Sequence, residues 1–137
     1  MVFGTFDCIH EGHRAFFKEA KSQGDYLIVV VAQDHIVEQL KGHLPKINLT
    51  GRFEALKKEA GVNEVVISDA KIGTWEVVKK YRPEVITLGY DQEALKKNLE
   101  AYLKKFDPFD KLRAGWHPEI KVMHAYEPDK FHSSILS

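Results

Sequence analysis

A length of 137 residues, 44% of them apolar, suits one domain with a single core of ordinary size. Twenty basic and twenty acidic side chains cancel to zero formal net charge, so no global field holds a polyanion, and nucleic acid is not an expected partner. No run reaches the roughly 18 apolar residues of a membrane span, the first residues lack the order of a secretory signal, and the single Cys8 can form no internal disulfide, so the expectation is a cytoplasmic chain without a membrane partner.

In chain order, a short apolar strand at residues 2–3 precedes the stretch GTFDCIHEGH, residues 4–13. A helix over 12–22 follows, then YLIVVVA at 26–32, a β-branched run apolar at every position, as a strand covered on both faces reads. Helices are expected over 33–40 and 50–60, the second with Thr50 and Glu54 near capping-box spacing and Gly61 as its stop. A strand at 64–67, a helix over 74–81 ended by Pro83, a strand at 85–88 and a helix over 92–105 continue the alternation. Residues 106–118 (FDPFDKLRAGWHP) show no period and read as a surface insertion before a last strand at 120–123.

Such alternation predicts a single α/β domain, a three-layer sandwich on a parallel five-stranded sheet. Its ligand belongs beyond the carboxyl ends of the strands, at the first strand-to-helix turn. That turn holds the densest chemistry. Gly4 lets the backbone turn sharply, and Gly12 leaves room at the helix start. His10 and His13, three apart, can face one side of that start, where unpaired amides and the helix dipole favour an anion. The plainer reading is that these histidines only cap the helix. A zinc reading needs a third ligand, from His43, His132 or Asp7, and an H-x-x-H without a glutamate-bearing partner motif does not specify one.

The stretch at 4–13 resembles the G-x-F-D-x-x-H-x-G-H signature of the cytidylyltransferase-like nucleotidyltransferase superfamily, whose domain is Rossmann-like. Lys41-Gly42-His43-Leu44-Pro45 with Arg52 is similar to that family's K-G-R-x-P…R stretch, with His43 in place of its arginine. Leu88-Gly89-Tyr90-Asp91-Gln92 resembles its L-G-x-D segment, and Phe131-His132-Ser133-Ser134 its C-terminal serine/threonine motif. Within the superfamily these segments look most like archaeal-type FAD synthases, which adenylate FMN. Glycerol-3-phosphate cytidylyltransferases come next, differing where this chain has Tyr90, Lys130 and serines.

The resemblance implies transfer of a nucleoside monophosphate from ATP or CTP to a phosphate-bearing acceptor, FMN or glycerol 3-phosphate, with release of pyrophosphate. His10, His13 and Lys41 are the implied catalytic residues. The implied nucleotide-binding set is Gly4, Thr5, Phe6, Asp7 and Gly12 in the turn and Arg52 and Gly89 beyond it, with Asp91, Tyr126, Ser133 and Ser134 nearer the C-terminus. Arg52 would hold phosphate or anchor the lysine loop, and Asp7 could equally brace the turn. Mg2+ would arrive with the triphosphate, held by phosphate oxygens and water rather than by a protein cage. Members often pair, so a homodimer is implied as well.

Two rivals stand beside this reading. Class I aminoacyl-tRNA synthetases also use an H-x-G-H element, but they need a lysine-rich second signature and far more chain. A nucleotide sensor with the same pocket and no turnover is the alternative from another class; the histidine pair and Lys41 weigh against it.

Overall fold

Three consecutive valines explain the centre of the molecule. In the computed structural model, which describes residues 1–89, 92–105 and 118–123, Val29, Val30 and Val31 are each at most 1% exposed. Successive side chains of a strand point to opposite faces. Val29 and Val31 accordingly pack with Phe16, Phe17 and Leu56 on one side, while Val30 packs with Val78, Ile86 and Leu99 on the other. A strand buried on both faces must be sandwiched between helices, and the run 26–32 is read correctly as the middle of a three-layer fold.

The strands are β1 (Val2–Gly4), β2 (Ile28–Val31), β3 (Glu64–Ile67), β4 (Val85–Gly89) and β5 (Glu119–Met123). They form one parallel sheet in the order β3-β2-β1-β4-β5. The helices are α1 (Glu11–Lys21), α2 (Asp34–Lys41), α3 (Leu49–Lys57), α4 (Glu76–Tyr81) and α5 (Glu93–Lys104). Side chains of α1 and α3 supply one core and those of α4 and α5 the other. The chain winds outward from β1 to β3, then returns to the opposite side of β1 for β4. That reversal creates a crevice at the carboxyl ends of β1 and β4, where the turn into α1 lies.

Local signals mostly set the element ends, with three corrections. Asn48, not Thr50, is the N-cap of α3; its side chain accepts the Gly51 N–H, and Thr50 lies inside the first turn. That helix stops at Lys57 with Lys58 as its cap, so Gly61, in a left-handed turn at φ 86°, lies beyond the helix end. α4 begins later than expected because Asp69 captures its amides from a distance: the carboxylate accepts from Thr74 Oγ1, Glu76 N–H and Val77 N–H. The anticipated insertion at 106–118 falls almost wholly outside the described residues. Among the described residues no helix is long and apolar enough to cross a membrane.

Candidate active site

The turn from β1 to α1 is shaped first by a phenylalanine. Phe6 adopts a left-handed backbone, φ 53°, and folds its ring back over Gly4, where a Cβ would lie 2.7 Å from Phe6 Cζ. Only glycine leaves that space. The ring is 5% exposed and packs edge-on against the imidazole of His13, centroids 5.4 Å apart, and against Phe17. The structure thus places Phe6 in the core, supporting His13.

His10 and His13 meet at the start of α1. Nδ1 of His10 accepts the Gly12 N–H (3.1 Å), and Nδ1 of His13 accepts the His10 N–H (3.3 Å), a reciprocal cap made by two imidazoles. The rings stack with centroids 4.1 Å apart. Because both Nδ1 atoms accept, the neutral rings carry their proton on Nε2, making each Nε2–H a donor. The capping reading of these histidines therefore holds for the Nδ1 of each ring. His13 is 2% exposed and His10 half-buried, so the accessible flank of the pair is that of His10. Gly12 is buried beside them.

The loop between α2 and α3 is fastened to this turn by Asp7. Its Oδ2 accepts the Lys46 N–H and its Oδ1 the Ile47 N–H, both at 2.8 Å. Partial burial alone would raise the Asp7 carboxyl, but these two amides, with the charges of Arg52 and Lys46, more than offset it and hold its pKa below the ordinary 3.8. Lys41 is the exposed last residue of α2, and Gly42 follows at φ 81°, its N–H closing on Glu38 O. Lys41 at the end of α2 and His43 and Lys46 on the loop are all exposed, and His43 Nδ1 lies 3.0 Å from Leu44 O.

Arg52 is fully buried on α3. Its guanidinium donates to Thr5 O, Ala32 O and Ile47 O at 2.7–2.9 Å and pairs with the Asp34 carboxylate at 2.5 Å. The side chain is held by protein acceptors at the ends of β1 and β2. Thr5 is buried and meets Arg52 through its carbonyl. Gly89, buried at the end of β4, donates its N–H to Gln92 Oε1, and Gln92 Nε2 donates to Phe3 O, which joins the two strands flanking the crevice. Asp91, Tyr126, Ser133 and Ser134 lie outside the described residues.

Sequence reasoning did not single out Asp34, Asn48, Asp69 or Gln92. An acidic residue in the first turn of a helix after a buried strand was the available sign for Asp34, and Asn48 stood three before a glycine as an N-cap can.

A two-imidazole cap on a Rossmann-like first turn invites comparison with known proteins. The profile of the cytidylyltransferase-like family matches residues 1–136. The chain belongs to this family. Membership of the cytidylyltransferase-like family places it among the nucleotidyltransferases. It is 43% identical over 126 residues to a FAD synthase of Thermococcus sibiricus, covering 92% of this chain and 80% of that protein. A FAD synthase of Pyrococcus horikoshii is 41% identical over 137 residues, covering 99% and 87%. Among solved structures, a lipopolysaccharide core biosynthesis protein of Thermoplasma volcanium superposes with a TM-score of 0.77 at 28% identity, covering 93% of this chain and 96% of that one.

Proposed function

We propose that this chain is an ATP:FMN adenylyltransferase, transferring AMP from ATP to the phosphate of FMN to give FAD and pyrophosphate. The acceptor assignment rests on the similarity to relatives named FAD synthase, at 43% and 41% identity over most of the chain. The nucleotide assignment rests on the paired imidazoles, whose Nδ1 atoms both face the backbone.

In the reaction an FMN phosphate oxygen attacks the α-phosphorus, a new P–O bond forms, and the bond to the β-phosphate oxygen breaks as pyrophosphate leaves. No covalent nucleophile on the protein is required. The enzyme has to align two anions and neutralise charge growing toward the leaving group. The Nε2–H donors of His10 and His13, with the amide dipoles at the start of α1, answer that need for the phosphates. Lys41 adds a cation from the end of α2, and Gly89 borders the nucleoside side of the crevice.

A divalent cation, Mg2+, is the companion of the triphosphate in this reading. Among the described residues no three His, Cys, Asp or Glu cluster to hold a metal, and the Asp7 oxygens are engaged by amides. The ion would be held by phosphate oxygens and water, where it screens their charge.

The test is incubation with Mg2+ and either ATP plus FMN or CTP plus glycerol 3-phosphate, following pyrophosphate and the flavin product. FAD with pyrophosphate in the first mixture alone upholds the proposal. Turnover only in the second transfers it to glycerol phosphate, and nucleotide binding without turnover in either marks a sensor.

A further inference from the structure

Ile47 is gripped through its backbone from both sides. Its N–H donates to Asp7 Oδ1 and its carbonyl accepts from Arg52 Nε at 2.9 Å, while the adjoining Lys46 N–H donates to Asp7 Oδ2. Asp7 belongs to the turn that carries His10 and His13. Arg52 reaches from α3 to Thr5 O just beyond β1, Ala32 O just beyond β2 and Asp34 at the start of α2. Four of the five N–H bonds of a guanidinium are thus committed to the protein, in a side chain with no exposed surface.

The other limb of the same loop is built differently. It leaves α2 through Gly42, whose left-handed backbone and exposed position make it a turning point, and Gly42, His43 and Leu44 are all exposed. The loop is therefore held at its return by Asp7 and Arg52 and leaves α2 through an exposed left-handed glycine, with Lys41 at the end of α2 and Lys46 at the clamp on either side of residues 42–45. Holding Ile47 and the adjoining Lys46 backbone fixes where Lys46 stands relative to the histidine turn, because Asp7 is part of that turn, while Lys41 is placed by the end of α2.

We propose that Asp7 and Arg52 are positioning residues that clamp Ile47 between the histidine turn and α3, setting the α2–α3 loop and its Lys46 over the nucleotide phosphates, and that neither side chain binds the nucleotide. The inference deepens the adenylyltransferase reading and rests on it for the role of the loop, while the clamp itself can be measured without substrate.

Asp7→Asn keeps the size of the side chain but turns an NH2 group toward one of the two amides, so at least one clamp bond is lost. Hydrogen exchange of the free protein is expected to rise about tenfold or more at residues 42–48, with other described segments unchanged. Turnover of ATP with FMN should fall about tenfold in the wild-type background, yet less than about twofold in a Lys46→Ala background, because a residue acting through the loop is coupled to the loop's cation. Unchanged exchange at 42–48 overturns the clamp. An equal loss in both backgrounds overturns the indirect role and makes Asp7 a nucleotide contact. If FMN is not the acceptor, the wild-type protein forms no FAD, and the exchange measurement alone decides. Arg52→Lys should give the same pattern. Its site is fully buried, so half-buried Asp7 supplies the deciding variant.

Discussion

The backbone N–H of His10 donates to Nδ1 of His13, and the two imidazoles stack above the first turn of α1. Each ring thus serves the fold through its Nδ1, and in the proposed function its Nε2 would meet the nucleotide. His10→Asn separates the two duties: its oxygen can accept the Gly12 N–H as a good N-cap, but its shorter amide puts no N–H at the position of Nε2. The variant is expected to melt within a few degrees of wild type and to lose about a hundredfold in turnover, the scale of one preorganised transition-state contact. Thermal unfolding and initial rates check this, and near-normal turnover would contradict the assigned role. His13→Ala should lose at least about a hundredfold in turnover and some stability as well, since that ring is buried.

Gly4→Ala tests the support of His13. The added methyl would stand 2.7 Å from Phe6 Cζ, and Phe6 lies against the His13 ring. Overpacking of this kind costs roughly 1–3 kcal/mol, which urea unfolding reads directly. Because the ring that must move also sets His13, turnover should fall together with stability.

Arg52→Met would leave the carbonyls of Thr5, Ala32 and Ile47 without this donor and Asp34 without its partner. Removing one member of a buried ion pair typically costs about 3–5 kcal/mol. Asp34 keeps 39% of its side-chain surface exposed and can turn to water, so the lower end of that range is expected from denaturant unfolding.

Asp7 gives a pH dependence of known sign. Its pKa is depressed in the folded protein, so the stability it contributes is fully present above the ordinary value of 3.8 and is lost as pH falls through the lower folded value. Melting temperature measured downward from about pH 5 should therefore drop less steeply in Asp7→Asn than in wild type. Identical slopes would contradict the two amide hydrogen bonds.

The layers of the fold were legible because period and composition carry them: a strand buried on both faces must be apolar at every position, as Val29 to Val31 are. The candidate site was marked by the glycines and histidines at 4–13 and by the rule that ligands gather at the switch point, and the fold does put that turn at the carboxyl ends of β1 and β4. What the sequence did not disclose is where side chains with long reach settle. Nothing local marks Arg52 for full burial, since its acceptors come from residues 5, 32, 34 and 47. Phe6 reads as a pocket residue until its left-handed backbone turns the ring inward. Asn48 outcompeted Thr50 as the cap because its side-chain oxygen reaches the Gly51 N–H.

The claim on which the rest depends is that the outer nitrogens of the histidine pair meet the nucleotide's phosphates. Long-range proton–nitrogen NMR of the protein labelled at its seven histidines, with His10→Asn and His13→Asn for assignment, observes those nitrogens directly. The prediction is unprotonated Nδ1 and protonated Nε2 on both rings, with the Nε2 signals moving when a magnesium complex of a non-hydrolysable ATP analogue binds. Protonated Nδ1 atoms in the free protein, or Nε2 signals that stay in place as the analogue saturates, would contradict it.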